Sequence, residues 1–489
     1  MRALGPQASP YFYPMSPSSS KLKVRFLVDK EQERVVFAEA GGEFVDVLFS
    51  FLALPLGRIG QLFEFTMGSL DALYQSVQRL DIKHLQTEAC KEMLLNPRSA
   101  IALQSQDLKI NIMHDQCPRI AYTCRDIGCL IQAKCCYTFT SKKSLCSRCG
   151  KPMDNILNLP KKASEEVGVF VNDTSNFMIT DDLQVMPTSL SKAFFLLEDL
   201  QIDDAGILEE RVVYFGTNEV LDLLDRSFVC NNVFTDVCFP DFNRENGDFY
   251  LPSEKEIAAD EAEDTIVLKL FLNVINNTVL YAEVEEDFIN LLFSFLTFPL
   301  GSIFGLFSDG VSSFGGCIGN LYSSMENMDS NCFKSEICRN MLLIPKLSAF
   351  YGIKNSMLEL EEIKPIESTV LISCVNLDNG YKTCTFVPCA HELGETDFIE
   401  QNPKSANGAT NNGGAFVVGS NKFIVSDRLE ISPLSAISTI LDEMDSPISN
   451  LVEVEVFVGR GEARSLLSAM MISTMVLTDV FYHQLKYRW

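Results

Sequence analysis

The sequence predicts an α+β fold made of two tandem copies of one unit, each running β-hairpin, helices, β-hairpin, helix, strand, helix. Three observations predict it. Runs of β-branched and aromatic residues around polar turns open each half. A nine-residue apolar block, Phe49-Ser-Phe-Leu-Ala-Leu-Pro-Leu-Gly57, returns as Phe293-Ser-Phe-Leu-Thr-Phe-Pro-Leu-Gly301 with seven positions identical. The remaining matches are collinear across residues 21–240 and 267–489. Helices that interrupt strands, instead of alternating with them, indicate α+β and not a doubly wound sheet.

Taken in order, Leu22–Val28 and Val35–Ala40 form the first hairpin, answered by Leu268–Val274 and Val279–Val284 around a turn two residues shorter. The apolar block follows as a helix. Pro55 and Pro299 remove a helical hydrogen bond at the same place, so each helix should kink or restart there. Glu88–Pro97 and Glu336–Pro345 read as short helices stopped before proline. Late in each copy, Gly168–Val171 with Phe177–Leu183, and Gly414–Val417 with Phe423–Leu429, read as a second hairpin. Helices over 190–200 and 434–441 come next, then strands ending at Gly216 and Gly459. The last helices carry Glu219 or Glu462 in their early turns, where a carboxylate suits the helix dipole. Each copy closes on a Thr-Asp pair, Thr235-Asp236 or Thr478-Asp479, which helix-end hydrogen bonding explains.

Residues 1–20 read as a disordered tail, 241–266 as an acidic linker between copies, and Asn402–Gly414 as a flexible insert, because none has enough apolar side chain to order itself. The 489 residues carry a net charge of −25, which argues against nucleic acid or an anionic membrane as the main partner. Sixteen Cys, and an N-terminus without the apolar run of a secretory signal, indicate reduced thiols in a cytoplasmic or nuclear protein. Phe288–Phe307 is twenty residues without a charge, the length of a membrane span. Its central Pro299, its acidic flanks and the Asp46 and Arg58 of its counterpart favour a broken, buried core helix.

Seven Cys lie between Cys117 and Cys149. Cys146-Ser-Arg-Cys149-Gly150 has the form of a zinc knuckle, and Cys124 with Cys129 is the natural second pair, with Cys135 or Cys136 as substitutes. Cys124, Cys129, Cys146 and Cys149 are therefore the candidate ligands of one structural zinc, with plain reduced thiols as the competing account. The second copy has Cys374, Cys384, Cys389 and His391 nearby but no CxxC pair, a weaker alternative set. No GxSxG, P-loop or HExxH motif is present, and the four His fall at non-equivalent points of the two copies. Gly459-Arg-Gly461 lacks the third glycine of a nucleotide turn and reads as a helix entry. No catalytic residue is proposed.

In the opening Lys-Val-Arg-Phe-Leu-Val hairpin, Phe-Leu-Ala-Leu-Pro-Leu-Gly, the CxxCG knuckle, Phe-Met-Ile-Thr-Asp-Asp-Leu and Leu-Thr-Asp-Val, the chain resembles a plant family known as domain of unknown function 674. The resemblance implies a plant origin and a two-copy build, and it implies no reaction. A duplicated, aromatic-rich fold without a retained polar constellation suggests an intracellular protein-interaction or scaffold protein with two pseudo-equivalent lobes and a protein partner. The rival expectation is an enzyme with its site in the cleft between lobes.

Overall fold

The computed structural model describes residues 21–63, 68–113, 120–126, 129, 135–138, 144–158, 169–172, 175–239, 265–307, 316–354, 356–365, 367–371, 373–374, 384–385, 395–405, 414–419, 421–435 and 450–486. The predicted tail, the body of the predicted linker, most of the predicted insert and all but the first two residues of the predicted helix over 434–441 lie outside them.

The fold is α+β. In the first half the elements are β1 (Leu22–Asp29), β2 (Arg34–Gly41), α1 (Gly42–Ser50), α2 (Leu56–Leu62), α3 (Leu70–Arg79), α4 (Glu88–Leu95), β3 (Ile120–Thr123), β4 (Cys135–Thr138), β5 (Asn155–Asn158), β6 (Asn176–Thr180), β7 (Val185–Pro187), α5 (Leu190–Asp199), β8 (Leu208–Phe215), α6 (Thr217–Ser227) and α7 (Val233–Cys238). The second half contributes β9 (Ile266–Asn273), β10 (Thr278–Val284), α8 (Glu286–Phe295), α9 (Leu300–Leu306), α10 (Ile318–Asn327), α11 (Glu336–Leu343), β11 (Glu367–Leu371), β12 (Ser373–Cys374), β13 (Cys384–Thr385), β14 (Glu395–Glu400), β15 (Phe423–Ser426), β16 (Ile431–Pro433), β17 (Leu451–Val458), α12 (Arg460–Ile472) and α13 (Val476–Lys486).

Two five-stranded sheets share one strand order: β7-β6-β2-β1-β8 and β16-β15-β10-β9-β17. In each, the first strand of the opening hairpin also pairs with the late edge strand, Leu22 opposite Phe215 and Ile266 opposite Val458. The second hairpin differs from the expected one. Its strands are β6 with β7 and β15 with β16, while Phe170 and Phe416 are bends and Val171 and Val417 make isolated bridges to Phe333 and Leu85. The reason is a buried side chain on the first helix of each half. The Asp46 carboxylate accepts the N–H groups of Val169, Phe170 and Val171 at 2.8–2.9 Å, and Asn290 Oδ1 accepts those of Phe416 and Val417. Their backbone donors are thus already used.

The prolines restart the helices as expected. Pro55 and Pro299 stand in extended conformation before α2 and α9. No helix of the described residues is long and apolar enough to cross a membrane. Phe288, Phe293 and Phe295 are instead buried in the core.

One hydrophobic core runs through both halves. Pro55 and Pro299 bridge each other, and Leu56 N–H and Leu300 N–H donate reciprocally to Phe298 and Leu54 carbonyls. Equivalent residues that meet in this way mark a local two-fold relation, the geometry of an isologous interface. Around it each half reaches across. Ser76 on α3 accepts the N–H of Ile431 at 2.8 Å, and Ser324 on α10 accepts that of Val185 at 2.8 Å. Gly68 and Gly316 take positive φ where a Cβ would fall 2.4 Å from Met470 O and 2.3 Å from Ser227 O, so the crossing chain fits only at glycine.

Each closing Thr-Asp pair has a structural task. Thr235 donates its N–H and hydroxyl to Asp181, and Thr478 does the same to Asp427. Each hydroxyl oxygen also accepts a β-strand N–H, from Val35 or Val279. Burial raises the carboxyl pKa of Asp181 to about 7, of Asp427 to about 6 and of Asp46 to about 6, against the opposing pull of these hydrogen bonds. Folded-state values above the unfolded one favour the protonated fold, so this contribution is complete below about pH 4 and is lost as pH rises through 6–7. Thermal unfolding followed by circular dichroism should therefore give a midpoint a few degrees higher near pH 5.5 than at pH 8, and Asp181→Asn should shrink that gap. An unchanged gap would remove Asp181 from the account.

Candidate metal centre

A third sheet, β11-β14-β4-β3-β5, carries the site and was not legible in the sequence. Its strands are short and lie between Cys-rich loops. Its central pairing is parallel and joins the halves, with Phe398 opposite Cys135 and Glu400 opposite Tyr137. Strands of four to six residues are too short to show a period, and β4 and β14, which join the halves, are more than 250 residues apart.

Cys124 directly follows β3, and Cys129 comes one turn later, its N–H donated to Asp126 O at 2.9 Å. The other pair sits on a hairpin closed by the Leu145–Pro152 bridge, with Cys146 N–H donated to Lys151 O at 2.8 Å. Gly150 N–H returns to Cys146 O, and Gly150 takes φ +68 as the knuckle requires. The four sulfurs all lie within 4.8 Å of one another, and those of Cys124 and Cys149 are 3.4 Å apart. Cys124, Cys129 and Cys146 are buried, and Cys149 is half-buried. Met153 and Tyr122 pack against the cluster.

Main-chain N–H groups face the sulfurs. Asp126 donates to Cys124 Sγ at 3.3 Å, and the Lys151 N–H lowers the pKa of Cys149. Burial raises the thiols of Cys124 and Cys129, the latter to about 12. A divalent ion bound by these four sulfurs would displace their protons. Four protein sulfurs leave no open position, so such an ion would hold structure and would not activate water.

The structure brings together all four predicted ligands. Cys135 and Cys136 lie on β4, and Cys117 is outside the described residues. Cys374 and Cys384 face each other in register on β12 and β13, while Cys389 and His391 of the alternative set lie outside the described residues. Among the described residues this is the one group of metal-ligating side chains that converges.

Gln401, which the sequence did not single out, locks the knuckle. Its amide donates to Leu145 O at 2.8 Å and accepts Ser147 N–H at 3.3 Å, while its own N–H reaches Tyr137 O at 2.7 Å. The start of the expected insert follows directly, and its Asn402 and Lys404 are buried like Gln401. The Lys404 ammonium donates to Gly352 O and lies 4.0 Å above the Phe416 ring, and burial lowers its pKa to about 8. A Pro-Lys pair in both copies, Pro160-Lys161 and Pro403-Lys404, was the signal available for this.

A family profile described as "Protein of unknown function (DUF674)" matches residues 18–460. The chain belongs to that family. No curated protein matches it, and no solved structure does. The DUF674 match spans both five-stranded sheets up to the start of α12, with the four-thiol cluster near the middle of its first half.

Proposed function

We propose that this DUF674 chain is an intracellular protein-interaction scaffold of plant origin, with two pseudo-equivalent halves and one structural zinc on Cys124, Cys129, Cys146 and Cys149. The observation that carries the reading is the closed set of four sulfurs, a geometry that staples loops for display instead of leaving a reactive coordination position. Two further features support it. The seam between halves, where a cleft enzyme would place its site, is filled by Pro55, Pro299 and a buried Arg98–Glu400 ion pair. The cavity lined by Phe298, Leu347, Ile353 and Glu362 has a volume of about 220 Å³, below the ~300 Å³ at which small-molecule sites usually begin.

Tagged full-length protein captured from plant cells should return a partner in near-equal amount, and the complex should re-form from purified components. Migration of the tagged protein alone, together with turnover of a compound from a plant metabolite extract, would replace the scaffold with an enzyme.

A further inference from the structure

Residues 117–153 hold seven basic residues and one acidic residue, net +6, in a chain of net −25, so everything outside them sums to −31. Four thiolates on one zinc would lower the segment by two charges and leave it basic. Three of the seven basic residues are described, and all three are exposed. Arg125 and Lys151 have side chains 72% and 64% exposed, and Arg148 stands exposed at the knuckle tip. Arg125 and Lys151 each pair with one carboxylate, Asp154 at 2.7 Å and Asp126 at 2.9 Å. Exposed pairs of this kind are weak, so an incoming carboxylate can exchange with them.

Apolar surface lies beside this charge. Leu145, at the base of the knuckle hairpin, is 48% exposed, and Ile156 on β5 is 51% exposed. Ile156 is directly opposite Tyr122 in the β3–β5 ladder, and directly opposed residues share a face. Tyr122 packs on the thiol cluster, so Ile156 flanks the knuckle.

We propose that the knuckle face docks an acidic peptide segment of a partner protein, with aliphatic side chains of that segment seated near Leu145 and Ile156 and its carboxylates on Arg125, Arg148 and Lys151. Charge complementarity selects the class of partner, and the exposed aliphatic pair supplies the anchor that charge alone lacks. Single-stranded nucleic acid fits less well. The one described aromatic on this face, Tyr122, is taken up by the sulfurs, which leaves no stacking platform, and an extended polyanion would run onto the acidic body. The inference deepens the scaffold reading by naming a surface and a partner chemistry, and it rests on that reading for the existence of a protein partner.

The test is fluorescence anisotropy on zinc-loaded full-length protein, with a labelled twelve-residue peptide of Glu and Asp containing two Leu. Binding is expected to weaken with salt, and to fall about fivefold or more in Arg148→Glu and in Leu145→Ser, while zinc content and circular dichroism stay unchanged. Lys23→Glu, on the first sheet, should leave it intact. Equal binding of a Gln/Asn version of the peptide, or no binding at all, overturns the proposal. So does tighter binding of oligouridine, or self-association of the chain abolished by Arg148→Glu, which would make a second copy the occupant. A captured partner that cross-links only elsewhere on the chain would remove this surface and leave the scaffold standing.

Discussion

Full-length protein purified without chelator should contain close to one equivalent of zinc, and Cys149→Ser should abolish it. The sulfurs of Cys124, Cys129, Cys146 and Cys149 already lie within 4.8 Å of one another. A tetrahedral ion with bonds of about 2.3 Å needs them about 3.8 Å apart, so binding asks for shifts of roughly 1 Å or less. The segment around the cluster has a small core of its own, Met153 with the cysteines and Tyr122, and structural zinc is worth about 10–16 kcal/mol to small domains of that kind. Loss of the ion should therefore deprotect β3, β5 and the knuckle in hydrogen exchange. The effect should also cross to the second half. Gln401 bridges Leu145 and Ser147, and β14 pairs with β4, so residues 395–405 should exchange faster while β9, β10 and β17 stay protected. Less than about a tenth of an equivalent of zinc, with the thiols freely titratable in the native protein, would make the cluster a set of reduced cysteines.

Arg98→Ala should destabilise the fold by about 3–5 kcal/mol in urea unfolding, the usual cost of stranding one partner of a buried ion pair. Arg98 leaves the first half just after α4 and meets Glu400 at the end of β14, at 2.9 Å, with side chains 11% and 5% exposed. Its Nε donates to Ser348 Oγ at 2.9 Å, and its main-chain N–H donates to the Tyr351 hydroxyl at 3.1 Å. Removing the guanidinium takes away the cation beside the buried Glu400 carboxylate while the seam stays closed. Arg98→Lys keeps the charge but loses the planar set of donors, and should recover only part of the loss. The double variant Arg98→Met with Glu400→Leu should come within about 1 kcal/mol of the original protein, since both charges then leave together. A cost below about 1 kcal/mol for Arg98→Ala would show that water reaches Glu400.

Local chemistry determined much of this protein in its sequence. The opening hairpins, the proline restarts at Pro55 and Pro299, the helix entries at Glu219 and Glu462, and the knuckle with Gly150 at positive φ all follow from residues a few positions apart. The four sulfurs were legible for the same reason: CxxCG sets its own turn, and only the second pair had to be chosen. The predicted second hairpin failed because Asp46 and Asn290, more than 120 residues upstream of what they hold, use up the backbone donors of Phe170–Val171 and Phe416–Val417. The β4–β14 pairing of the third sheet, the Gln401 lock and the Arg98–Glu400 pair were likewise out of reach. Each depends on one half crossing into the other, and the closeness of residues 250 positions apart is a property of the packed core that no local period encodes.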